Sequence, residues 1–153
     1  MRRSRIYLDN CCYNRPYDDQ TQLRISLESQ AKLEIQKKIK NGELELVTSY
    51  MTTYENAQNP IEIRRNNICS FQDKYASVYV KESLDSEIKS TAYEIEKTGI
   101  KHKDACHVAC AIQAKCDYFI TTDDRLLKYK TDKLKMETPV TFINQMEDMI
   151  WKS

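Results

Sequence analysis

The sequence predicts an α/β fold, a three-layer α/β/α sandwich around a central parallel sheet. Three observations carry that expectation. Short apolar runs of strand length alternate with longer stretches of helical periodicity, the pattern of parallel strands joined by crossover helices. Two of the helical stretches close on glycine, at Asn41-Gly42 and at Gly99, a common helix stop. Acidic residues stand just beyond the apolar runs: Asp9 follows Ile6-Tyr7-Leu8, and Asp123 follows Tyr118-Phe119-Ile120-Thr121-Thr122. In an open parallel sheet those carboxyl ends border the crevice that binds ligands.

The elements follow in order. Residues 4–9 read as a first strand, and 10–22 as a turn rich in Asn, Pro and Asp. Residues 22–40 place Leu23, Leu27, Ala31, Leu33, Ile35 and Ile39 among Glu and Lys, a long helix. Residues 43–49 form the second strand, and Ser49, Thr52 or Thr53 can cap a helix carrying Glu55 that ends before Pro60. A helix over 61–74 and a β-like run over 76–80 come next. Ser83 or Asp85 opens a helix running to Gly99, and residues 102–116 form the most apolar helix. A strand over 117–122, a short helix over 123–129, a last strand over 140–142 and a final helix over 143–151 complete the chain.

At 153 residues the chain reads as a single domain, residues 1–153, able to bury a real core. Its 24 basic and 23 acidic residues nearly cancel, so no overall field would hold a polyanion and any grip must be local. With two glycines in all, a glycine-rich phosphate loop is excluded. No stretch is long and apolar enough for a membrane span or a signal peptide, which predicts a cytoplasmic protein. Six cysteines in a reducing compartment are then expected as free thiols. Cys106 and Cys110, at helical spacing among Ala105, Val108 and Ala109, read as core residues rather than zinc ligands.

Asp9, Glu55, Asp104 and Asp123 are the acids that would carry chemistry. Any one alone reads as a turn former, a helix cap or a dipole-matched first-turn residue. Taken together, carboxylates converging on one crevice repel one another unless a cation neutralises them, and Mg²⁺ or Mn²⁺ favours oxygen ligands. The pattern predicts a metal-dependent site for phosphate chemistry. Asp124 stands beside Asp123, as a further acid or as a helix cap. Arg15 and Arg125 are the best local phosphate clamps, because a guanidinium binds phosphate bidentately. His107, one turn from Asp104, reads as a core histidine.

Four segments carry a family resemblance. They are Tyr7-Leu8-Asp9-Asn10 ahead of a helix, Thr48-Ser49 followed by Glu55, Lys103-Asp104-Ala105-Cys106-His107-Val108-Ala109, and Phe119-Ile120-Thr121-Thr122-Asp123. Together, over roughly residues 5–145, they resemble a PIN domain. The resemblance implies a PIN-like fold and a Mg²⁺- or Mn²⁺-dependent endoribonuclease that hydrolyses RNA. Asp9, Asp104 and Asp123 match the family's metal-binding acids, and Glu55 its further catalytic acid. Thr121 matches the hydroxyl that orients the site, and Asn10 fits as a polar neighbour of metal-bound water or phosphate.

Many small bacterial members are VapC-type toxins silenced by an antitoxin, so the resemblance also implies a toxin–antitoxin partner. It implies a homodimer as well, for which the apolar C-terminal helix around Met146, Met149 and Trp151 would serve. The segment Asn10 to Pro16 departs from the commoner toxin pattern. The rival reading is a catalytically inactive PIN-like module that binds RNA or protein. A phosphatase of the haloacid-dehalogenase type is set aside, because Cys11 stands where its second acid belongs.

Overall fold

The computed structural model describes residues 2–152, with side chains up to Asp148. Five strands form one parallel sheet: β1 (Ser4–Leu8), β2 (Leu44–Ser49), β3 (Ala76–Val80), β4 (Tyr118–Ile120) and β5 (Lys135–Glu137). Their spatial order is β3-β2-β1-β4-β5. Helices α1 (Asn10–Asn14) and α2 (Leu23–Lys40) connect β1 to β2, and α3 (Tyr50–Ala57) and α4 (Glu62–Tyr75) connect β2 to β3. Helices α5 (Asp85–Glu96) and α6 (His102–Gln113) lead to β4, α7 (Asp124–Leu127) leads to β5, and α8 (Pro139–Lys152) follows. The result is the expected three-layer α/β/α sandwich, with eight α-helices among the described residues.

The alternation of side chains along each strand sets the layers. In β1, Ile6 and Leu8 enter one core while Tyr7 enters the other. Leu44 and Leu46 of β2 and Ile120 of β4 join the first core, under α1, α2, α4 and α8. Val47 and Phe119 join the second, under α5 and α6. Tyr7 and Phe119 are register partners, and their rings stack with centroids 5.3 Å apart.

Caps fix the helix ends. The α2 terminus is a Schellman motif: Gly42 N–H donates to Ile39 O and Glu43 N–H to Lys38 O, with Gly42 at φ +77°. Ser49 caps α3, its Oγ accepting from the Met51 and Thr52 amides while Thr52 Oγ1 accepts from Ser49 N–H. That cap fixes where α3 starts, and so where Glu55 lies.

Two sequence expectations change. Residues 10–14, expected as turn, form α1, because the Asp9 carboxylate accepts from Asn10 N–H at its start. The expected strand over 140–142 is instead part of α8, and the fifth strand is Lys135–Glu137. Thr138 Oγ1 accepts from Thr141 N–H, Thr141 Oγ1 from Thr138 N–H, and Pro139 occupies the first helical turn. All six cysteines are free thiols. Among the described residues no helix is long and apolar enough to cross a membrane. Met146 packs against the core beneath α2, whereas the side chains of Met149 and Trp151 lie outside the described residues.

Candidate active site

The strand order reverses direction at β1, whose neighbours are β2 and β4. This switch point is where open α/β sheets bind ligands. Asp9 leaves the end of β1, and its amide donates to Ile120 O at the end of β4. Asp123 follows β4 as the cap of α7, its Oδ1 accepting from Arg125 N–H at 2.9 Å. Thr121 ties the two together, since its buried hydroxyl donates to Asp9 Oδ2 at 2.8 Å and accepts from Asp123 N–H at 3.0 Å. One hydroxyl therefore sets both the rotamer of one acid and the backbone of the other.

Asp104 lies in the first turn of α6, where the helix dipole favours a carboxylate. The opposite effect wins. Burial, then the charges of Asp9 and Asp123, push its carboxyl up to about 6, with Glu55 adding to the rise and His107 opposing it. Its perturbers are the other three proposed acids, so all four share one electrostatic neighbourhood. Among the described residues Asp104 has no lysine, arginine or hydrogen-bond partner.

Glu55 reaches this neighbourhood from α3. Its Oε1 lies 2.7 Å from Nε2 of His107, whose Nδ1 is 2.6 Å from the Tyr7 hydroxyl, itself 2.7 Å from Ser49 Oγ. His107 is fully buried. Burial disfavours its charge, yet the bond to Glu55 and the charges of Asp9, Glu55 and Asp104 raise its pKa above the usual value. Burial likewise opposes ionisation of Glu55, and the His107 bond together with the charges of His107 and Lys103 outweighs it, lowering that pKa. Sequence reasoning placed His107 in the core and left Tyr7 and Ser49 out of the site. The available signal was its three-residue offset from Asp104, which puts both on one helix face.

The remaining expected residues divide. Asn10 lines a groove of about 540 Å³ with Glu55, Arg64 and Lys103, and its Oδ1 is buried without a donor. Arg125 is exposed and makes no ion pair among the described residues. Arg15 is not a free clamp: Glu28 holds its Nε at 2.8 Å and Asp18 its Nη1 at 3.1 Å. The α2 helix, which brings Glu28 over the turn, accounts for this. Asp124 points to Arg24, which grips both its oxygens at 2.9 and 3.2 Å, so it does not join the acids. Cys11 was not foreseen; its Sγ lies 3.5 Å from both Asp9 Oδ2 and Thr121 Oγ1.

The donor set suits a hard divalent cation. Uncompensated carboxylates surround the crevice, and the orphaned Asn10 Oδ1 at its edge is an acceptor that a hydrated ion could satisfy. Among the described residues no three His, Cys, Asp or Glu side chains are gathered tightly enough to cage an ion alone. Mg²⁺ does not require such a cage, because it keeps several waters and takes one or two carboxylates directly.

No family model matches the chain, and no curated protein matches it in sequence. Among solved structures, the chain is similar to one in the VapBC2 complex from Rickettsia felis bound to a DNA fragment from their promoter. The match has a TM-score of 0.53 and 12% identity, and it covers 88% of this chain and 98% of that one. At that identity the likeness concerns the fold, which is the PIN-like sandwich described above.

Proposed function

We propose that this protein is a metal-dependent endoribonuclease of the PIN type, acting as the toxin of a toxin–antitoxin pair. The observation that carries the proposal is the group of four acids at the switch point, with Asp104 raised by the charges of its neighbours. Without an external cation such a cluster costs stability, so a fold that keeps it has another use for it. The fold likeness to a chain of the VapBC2 complex supports the toxin role and an antitoxin partner, and a homodimer is proposed with them on the family resemblance alone.

Asp9, Asp104 and Asp123 would hold Mg²⁺ or Mn²⁺, which supplies Lewis acidity and charge neutralisation at the scissile phosphate when bound. Thr121 keeps Asp9 aimed at the crevice. Glu55, held ionised by His107, accepts the proton of the attacking water. His107 passes part of that charge toward the Tyr7 hydroxyl, so Glu55 does not stand alone in a half-buried site. Asn10 lines the groove beside Glu55, and Arg125, two residues past Asp123 and with a guanidinium unengaged among the described residues, would meet the phosphate backbone.

The test is to incubate purified protein with mixed single-stranded and structured RNAs, with Mn²⁺ or with chelator, beside Asp9→Asn and Asp104→Asn. RNA loss confined to wild type with metal is the expected result. Loss that ignores both metal and substitution would mark a contaminant. RNA binding without any cleavage would instead favour the inactive-module reading.

A further inference from the structure

A second hollow of about 630 Å³ lies beside the acidic crevice, and Tyr50, Tyr54, Tyr79, Glu82, Lys89 and Lys103 contribute to its lining. Lys103 also borders the groove that holds Glu55, so the two depressions meet at its side chain. Tyr54 directly precedes Glu55 on α3 and is 55% exposed. Tyr79, on the edge strand β3, is 47% exposed. A single exposed tyrosine needs no explanation, but two on the walls of one concavity adjoining an acidic crevice form an aromatic platform.

The charges of the hollow support a base rather than a phosphate. Tyr50 donates its hydroxyl to Asp85 Oδ1 at 2.6 Å, and Lys89 pairs with Asp85 Oδ2 at 2.9 Å, which cancels charge on the floor. The Lys103 ammonium lies 5.9 Å from the Tyr54 ring centroid, at the boundary with the crevice. Glu82 adds a carboxylate to the lining, unfavourable to phosphate and able to accept from the amino edge of a base.

We infer that this hollow receives one or two unpaired nucleobases of the strand crossing the carboxylates. The bases stack on Tyr54 and Tyr79 while Lys103 meets the phosphate between hollow and scissile bond. The inference rests on the nuclease reading and adds where the unpaired bases of that strand are held. A base inside a duplex has both faces stacked and cannot enter.

The experiment measures fluorescence anisotropy of a labelled single-stranded RNA and of a hairpin of equal length whose loop is a non-nucleotide linker, so that it has no unpaired base. The protein is the full chain carrying Asp104→Asn to silence cutting, in Mg²⁺ at fixed salt. The single strand is expected to bind about tenfold tighter than the hairpin, and Tyr54→Ala and Tyr79→Ala each to weaken it about tenfold. Tyr54→Phe keeps the ring face and is expected to bind like the parent. Equal affinity for hairpin and single strand would overturn the inference, as would indifference to both alanine substitutions; the latter would leave the hollow to a peptide ligand. Tyrosine-dependent binding by a protein whose wild type never cuts RNA removes the nuclease reading and leaves the stacking site standing. Metal-dependent cutting with tyrosine-independent binding does the reverse.

Discussion

The two ends of the central sheet carry acids in opposite circumstances. At the amino ends of the strands Glu45 and Asp117 each meet an arginine. Arg5 Nε meets Glu45 at 2.9 Å, Arg3 reaches the same carboxylate at 3.3 Å, and Arg2 meets Asp117 at 2.6 Å. At the carboxyl ends Asp9, Asp104 and Asp123 have no lysine or arginine within ion-pair distance among the described residues. Basic groups act there through Glu55, which His107 bonds and the Lys103 charge stabilises. The same residue types thus act as fasteners at one end and as unpaired charge at the other. The deciding variable is whether the polypeptide supplies the counter-charge; under the proposed function, a cation from outside supplies it at the crevice.

The largest expected difference is in activity. Asp104→Asn should cut Mn²⁺-dependent RNA cleavage by about a hundredfold or more, because it removes a ligand and a charge from the site. Glu45→Gln, at the other end, should leave the rate unchanged. A comparable loss from both in a timed gel assay would erase the contrast.

The next largest effect concerns His107, the buried histidine bonded to Glu55. His107→Ala should cost roughly 3 kcal/mol in denaturant unfolding, from the cavity and from the two hydrogen bonds left unmade. His107→Gln, which keeps a donor for Glu55, should recover part of that. Losing one fastener should cost less. Arg5→Met should lower stability by about 1.5 kcal/mol, since Arg5 also donates to Ala114 O at 2.6 Å, and should not alter a metal-induced thermal shift.

The smallest effect has the opposite sign. In chelator, Asp104→Asn should raise stability by about 1 kcal/mol. A carboxyl at about 6 rather than 3.8 would give nearly three times that if sealed from water, and its partial exposure reduces the gain. A carboxyl whose pKa is raised on folding favours the native state only while protonated. Its contribution is therefore full below about pH 3.8, falls as pH climbs toward 6 and is absent above that. The difference in unfolding free energy between wild type and variant should follow that course, and saturating Mn²⁺ should reverse its sign at neutral pH. A metal-free wild type more stable than the variant at pH 7 would mean that the carboxylate is compensated after all.

How far the sequence revealed this arrangement depended on the range of the signal. Asp9 and Asp123 were legible because alternating apolar runs end beside them, Asp104 because it falls in the first turn of an apolar helix, and Glu55 because the cap at Ser49 announces the helix that carries it. The fifth strand was missed because Lys135-Met136-Glu137 is a three-residue edge strand with charged ends, which no hydrophobic pattern marks. The apolar residues Val140, Phe142 and Ile143 belong to a helix announced by Thr138-Pro139, a signal given too little weight. Partners contributed from elsewhere in the chain were out of reach. Nothing near Arg15 shows that Glu28 will take its guanidinium, and nothing near His107 shows that Glu55 will face it across α3 and α6.

The hydroxyl of Thr121 bonds a carboxylate 112 positions earlier in the chain. A ribosome making this protein releases Asp9 early, yet β1 finds β4 beside it only after most of the polypeptide has emerged. An unfinished nascent chain therefore holds its acids apart, and the crevice comes into being only once β4 has joined the sheet.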